Sequence, residues 1–238
     1  MAKRTYEQSK TFFNRKTNTR GCGRELYKTP RFLIRTIIND LLFRFPYLKK
    51  EIWIDPCAGD GRWEQEIYNI DSSIKVISLD IEPLQTKSVI QQDFFKFSKE
   101  RLEKIINERN WQNNGLYFFI GNPPFSKVKQ FIEYTINKFN SHGFYLGGSA
   151  ILTGKLSKYA EYIYRFDGAE GKQKDMRSKA LFEDTNGKII PIWCCGTMFN
   201  NKYNFEFKRT TEQKEGYFRV GVKSWCIDEQ PRVLKIKL

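Results

Sequence analysis

Asn122 follows an apolar run, Leu116-Tyr117-Phe118-Phe119-Ile120, and a single glycine, and it precedes Pro123, Pro124 and Phe125. The run reads as a buried strand. The loop after it is stiff, because each proline fixes its own φ and restrains the residue before it. Asn122 offers a side-chain carbonyl oxygen, and the backbone carbonyl of Pro123 offers a second acceptor. Two acceptors converging on an exocyclic amino group draw on both of its hydrogens. They make an amine whose lone pair is delocalised into a planar ring more tetrahedral, and so more nucleophilic. Phe125 supplies a flat apolar lid, and stacking of this kind is typically worth about 1–3 kcal/mol per base. Such chemistry needs neither a metal nor a covalent intermediate. A structural turn after a strand is the plainer reading of the same four residues.

A second constellation lies upstream. Asp55-Pro56-Cys57-Ala58-Gly59-Asp60-Gly61 follows a short strand and precedes a helix. Its glycines let a turn pass close to a ligand, and the helix start offers unpaired N–H groups. The glycine spacing matches neither GxGxxG nor a P-loop. The next strand ends in Leu79-Asp80-Ile81-Glu82-Pro83. A carboxylate at such a tip suits ribose hydroxyls.

The elements that must hold these loops alternate along the chain. Phe32, Leu33, Ile34, Ile37, Ile38, Leu41 and Leu42 recur at helical spacing. Thr29 is the expected N-cap and Pro30 the first helical residue. Strands are predicted over 51–55, 74–80, 89–90, 116–120 and 143–152, and helices over 63–70, 99–109 and 128–139. Residues 160–184 read as a surface loop with a helical piece, followed by strands at 188–199, 217–226 and 232–237. This alternation implies a mostly parallel sheet with helices on both faces.

Composition limits the partners. The 238 residues carry 41 Lys and Arg against 27 Asp and Glu, a net charge of +14. A polyanionic partner fits that excess, nucleic acid better than a membrane surface. No apolar run reaches membrane-spanning length and no signal peptide is visible, so the cytoplasm is expected, or the nucleus in a eukaryotic host. Five cysteines without CxxC pairing suggest no disulfide framework and no zinc site, and the single His142 argues against a histidine-based triad or metal. No metal ligands are predicted. Residues 1–24 form a polar, basic arm. Lys127 and Lys129 adjoin the Asn122 loop. Lys155 and Lys158 open a basic segment interleaved with Tyr159, Tyr162, Tyr164 and Phe166, a pattern suited to unstacked bases or, equally, to a solvated helix.

In order and position these motifs resemble those of S-adenosylmethionine-dependent amino-methyltransferases, chiefly enzymes that methylate N6 of adenine. The likeness runs from Thr29 to Phe139. It implies an α/β fold of the Rossmann-like class I methyltransferase type, with a mixed seven-stranded sheet and helices on both faces. It implies one catalytic domain over residues 25–238, without a separate target-recognition domain. By match, Thr29, Asp55, Cys57, Ala58, Gly59, Gly61, Asp80 and Ile81 hold S-adenosylmethionine. Asp93 and Phe94 contact its adenine. Asn122, Pro123, Pro124 and Phe125 are the catalytic residues, and Lys127, Lys129, Lys155 and Lys158 the substrate-binding ones. Phe stands where many DNA enzymes of this order have Tyr, and release-factor glutamine methyltransferases carry a similar Asn-Pro-Pro-Tyr. DNA is the preferred substrate and RNA the alternative. A glutamine-amide methyltransferase and a non-catalytic nucleic-acid-binding subunit remain as rivals, and a protein partner for target recognition is a further expectation.

Overall fold

The computed structural model describes residues 27–84, 87–148, 160–166, 179–183, 189–199 and 218–220. The expected basic arm, Lys155 and Lys158 lie outside the described residues.

Five parallel strands come first: β1 (Ile52–Asp55), β2 (Lys75–Asp80), β3 (Ile90–Gln91), β4 (Tyr117–Gly121) and β5 (His142–Gly148). They lie in the spatial order β3-β2-β1-β4-β5. β8 (Ile189–Phe199) then pairs antiparallel with β5, and β6 (Ala160–Phe166) pairs antiparallel with the far side of β8. β9 (Phe218–Val220) closes this side, and β7 (Lys179–Glu183) branches from β8. The sheet is mixed and doubly wound, as a class I methyltransferase fold requires. Among the described residues it has nine strands, not seven.

Period-two alternation explains how one sheet supports two cores. Trp53, Phe118, Ile120, Phe144 and Leu146 point to one face, against α1 (Arg31–Arg44) and α2 (Arg62–Ile70). Ile52, Ile54, Tyr117, Phe119 and Tyr145 point to the other, against α3 (Lys99–Glu108) and α4 (Val128–Tyr134). Cys194 and Cys195 split between the same two faces, as consecutive residues of β8 must. Strands buried on both sides are why these segments read as continuous apolar runs.

Four local expectations change. The N-cap of α1 is Pro30, with no side-chain cap bond, so Thr29 does not cap the helix. Its side chain is buried instead. The helix predicted over 128–139 is α-helical only to Tyr134 and continues as a π turn over Thr135–Phe139. Ala160–Phe166 and Lys179–Glu183 are strands, where a loop with a helical piece was expected. The partner of both is β8, a non-local strand that the local pattern does not reveal. No helix among the described residues is long and apolar enough to cross a membrane.

Candidate active site

The strand order reverses between β1 and β4. In open α/β sheets ligands bind in the crevice beyond the carboxyl ends of the strands at such a point. Here the two loops that border it are Asp55–Gly61 after β1 and Asn122–Phe125 after β4, the two constellations read from the sequence.

The loop after β1 is built for close approach. Gly59 and Gly61 have φ of +55° and +73°, a region that disfavours side chains. Asp55 Oδ1 accepts from the Cys57 N–H at 3.1 Å, an Asx-type turn. Asp80 Oδ2 accepts from the Gly59 N–H at 2.8 Å, and Oδ1 from the Glu82 N–H at 2.8 Å. The tip of β2 is thereby tied to the glycine turn.

A cavity of about 430 Å³ lies along these loops, within the usual range for small-molecule sites. Of the predicted site residues, Thr29, Cys57, Ala58, Gly59, Asp80, Ile81, Asp93, Phe94, Asn122, Pro124 and Lys127 line it. Asp55, Gly61, Pro123, Phe125 and Lys129 do not. Asp55 is fully buried and organises the turn from beneath. Burial pushes its carboxyl well above the usual carboxylate range; the Cys57 N–H opposes this, and the Asp80 charge adds to it. Burial likewise raises the Cys57 thiol, helped by Asp55 and Asp80, against a hydrogen bond from the Asn122 backbone.

Phe94 is not free to stack on a ligand. It is 3% exposed, and its ring packs on Phe131 at 5.2 Å and 14° and on Phe139 at 6.1 Å and 10°. Phe95, expected in the core, is half-buried and lines the cavity. The exchange follows from a 3-10 turn over Phe94–Lys96, which Asp93 caps by accepting from the Phe95 N–H at 3.0 Å. Three residues per turn send consecutive aromatics to different sides.

At the other end of the cavity stands Asn122. Its Nδ2 donates to the Tyr27 carbonyl at 2.8 Å. Its Oδ1 is buried and has no partner. Phe125 is half-buried beside Tyr27 (6.3 Å, 40°) and edge-on to Phe182 (5.9 Å, 86°). The Pro124 carbonyl accepts from the Lys127 N–H at 2.8 Å and closes the loop.

Three participants carry no sequence signal that the motifs would have drawn out. Tyr27 acts through its backbone carbonyl, which any residue supplies. Arg62 follows the glycine turn and donates to the Thr29 carbonyl at 3.0 Å, and it holds Asp60 through both Nε and NH2. Glu183, on β7, pairs with Lys28 backbone to backbone, at 2.8 and 3.0 Å.

No family model and no curated protein matches the chain. Among solved structures it is similar to the cryo-EM structure of a DrdV–DNA complex, at 11% identity over 74% of this chain and 27% of that one, with a TM-score of 0.43. It is similar to the Type IIL restriction-modification enzyme MmeI in complex with DNA, at 12% identity over 86% of this chain and 37% of that one, TM-score 0.40. It is also similar to a Listeria monocytogenes protein, lmo1582, provisionally described as a class I S-adenosylmethionine-dependent methyltransferase. That likeness is 14% identity over 84% of this chain and 67% of that one, TM-score 0.42. The chain thus spans well under half the length of the first two.

The cavity's own chemistry bears on whether S-adenosylmethionine fits. Asp80 offers a carboxylate for hydroxyl donors, and Phe95 and the 57%-exposed Ile81 offer apolar faces. Thr29 Oγ1, Trp63 Nε1 and Asn122 Oδ1 are buried polar atoms of lining residues without partners. Buried polar atoms of this kind are ordinarily satisfied. A ligand with a ribose, an apolar ring and a charged polar tail suits this set of donors and acceptors.

Proposed function

We propose that the protein transfers a methyl group from S-adenosylmethionine to N6 of adenine in nucleic acid, with DNA preferred to RNA. The observation that carries this reading is the orphaned Asn122 Oδ1. Its partner Nδ2 is committed to the Tyr27 carbonyl, so the acceptor is the amide atom left for another donor. A buried acceptor left unpaired costs about 1–3 kcal/mol, which an amine donor entering the crevice removes.

S-adenosylmethionine, when bound, supplies a methyl group activated by a sulfonium. Thr29, Cys57–Gly59, Asp80, Ile81 and Asp93 line the space for it, with Phe95 in place of Phe94 as the aromatic face. Asn122 Oδ1 accepts one hydrogen of the target amine. As the nitrogen lone pair leaves conjugation with the ring, positive charge grows on its N–H groups, and this preorganised acceptor gains strength. The Pro123 carbonyl is the second acceptor in this reading, and Phe125 the stacking surface. Both sit on the same stiff loop. A base within a duplex has to be flipped out to reach them. The charge excess and the exposed Lys127 and Lys129 favour a polyanionic substrate over a peptide.

The test is methyl transfer from labelled S-adenosylmethionine to duplex DNA, single-stranded DNA, RNA and a glutamine-bearing peptide, with Asn122→Ala alongside. Label in N6-methyladenine is expected, falling about 10²–10³-fold in the variant, as for loss of one preorganised polar contact. Label in glutamine would move the protein to the amide methyltransferases. Cofactor binding without any transfer would favour a non-catalytic subunit.

A further inference from the structure

The segment Tyr27–Thr29 lines the cavity as a strap, and each of its residues is held differently. The Tyr27 carbonyl accepts from Asn122 Nδ2 at 2.8 Å. Lys28 is bonded through its backbone in both directions to Glu183, and its Nζ lies 3.7 Å from Glu183 Oε1. The Thr29 carbonyl accepts from Arg62 NH1 at 3.0 Å, and the same NH1 lies 3.5 Å from Glu183 Oε2. Arg62 is itself fixed by Asp60 at 2.7 Å. Glu183 therefore ties the strap in three ways: by backbone, through the Lys28 ammonium and through the Arg62 guanidinium.

We infer that this strap, locked by Glu183 and Arg62, sets which way the Asn122 amide faces, so that Glu183 on β7 is a positioning residue for the reaction. The inference rests on the methyl-transfer reading for its kinetic consequence, though not for its structural one. A primary amide has two orientations that differ only in which atom meets its neighbour. With the Tyr27 carbonyl in place, only the orientation that gives it Nδ2 is free of oxygen–oxygen repulsion. Oδ1 is then left for the substrate. If the strap lifts, both orientations become accessible and the one that presents Nδ2 to the incoming amine pairs donor with donor. Thr29 of the strap lines the cofactor space, but Glu183 does not line the cavity and its backbone pair with Lys28 survives truncation, so loss of its side chain acts on the chemical step more than on cofactor affinity.

The experiment uses the full chain with Glu183→Ala and Glu183→Gln. The Asn122 side-chain NH2 is assigned in nitrogen-15 spectra by its disappearance in Asn122→Asp. In the parent protein one of its two protons, bonded to the Tyr27 carbonyl, is expected downfield and slow to exchange. In Glu183→Ala that signature is expected to weaken, with kcat for methyl transfer down about tenfold and cofactor Kd changed less than about twofold. Glu183→Gln, which keeps an acceptor for Arg62, is expected to recover most of both. An unmoved Asn122 resonance with unmoved kcat overturns the inference, and so does a loss of kcat that merely follows a loss of cofactor binding. A parent protein that methylates no adenine, yet shows the Asn122 signature and its loss in Glu183→Ala, overturns the proposed reaction and leaves the positioning role standing.

Discussion

Replacing Gly121 by alanine probes the contact between the two loops of the site. Gly121 has φ of +156°, and a Cβ built on it meets Asp55 Oδ1 at 2.5 Å. Ordinary contact begins at 3.4 Å, so about 0.9 Å has to be absorbed. Asp55 has little room to absorb it, being fully buried and held by the Cys57 N–H. Overpacking a closed core typically costs about 1–3 kcal/mol, and holding a non-glycine residue in a sparsely populated backbone region about 1–3 kcal/mol more. A destabilisation of about 2–6 kcal/mol is expected in urea unfolding. Only the first part involves the carboxylate. Combining Gly121→Ala with Asp55→Ala should therefore show a coupling of about 1–3 kcal/mol, while the backbone share persists. The same shift bears on rate. Asn122 is the next residue, and a displacement of about 1 Å in a catalytic group can cost about 10²-fold. Gly121→Ala should lose methyl transfer on that scale and cofactor affinity far less. Additivity of the two substitutions within about 0.5 kcal/mol would refute the reasoning, because the loops would then not be pressed against each other at this point.

Asp55→Asn should stabilise the protein increasingly as pH rises. The folded-state carboxyl is raised by burial, so between its unfolded value near 3.9 and its folded value the native state keeps a proton that the unfolded chain has lost. The parent then loses about 1.4 kcal/mol per pH unit across that window, and asparagine does not. Urea unfolding from acid to neutral pH should show the two converging below about pH 4, and a difference constant with pH would sink the idea. The neighbouring aromatics should separate cleanly. Phe94→Ala should cost about 3–5 kcal/mol of stability, whereas Phe95→Ala, at a half-buried ring that packs edge-on to Phe131 and Tyr134, should cost less stability and weaken cofactor binding by calorimetry. The reverse pattern would restore Phe94 as the stacking face.

The half of the fold that carries the crevice was legible because its information is local. Ile52–Asp55, Lys75–Asp80 and Tyr117–Gly121 are buried on both faces, so their apolar runs stand out, and the turns that follow are marked by Asp, Gly and Pro. Asn122 and Asp80, which line the cavity, could be found because their side-chain chemistry is written in the residue type. Both Phe94 and Phe95 line the cavity, and the sequence could not tell that a 3-10 turn buries the first ring and leaves the second the more open of the two. Ala160–Phe166 and Lys179–Glu183 were hidden for a different reason. Their pairing partner, β8, comes later in the chain, and Glu183 lies 121 residues from the Arg62 it faces. Tyr27 could not be found at all, since a carbonyl leaves no trace in residue identity.

The brevity of β3 has a consequence for self-association. At the β3 edge the sheet ends in two residues, Ile90 and Gln91, paired with Leu79 and Asp80. The Asp93-capped turn follows almost at once. The outermost strand of a sheet presents unpaired N–H and C=O groups that a second chain can copy, and the apolar, β-branched and aromatic segments behind it are the kind that stack into fibrils. An edge of two residues offers an incoming strand too few bonds to align on. Strands such as Ile52–Asp55 and Tyr117–Gly121 stay enclosed behind it, and on this side the sheet can carry its apolar interior up to the border without offering a template for strand addition.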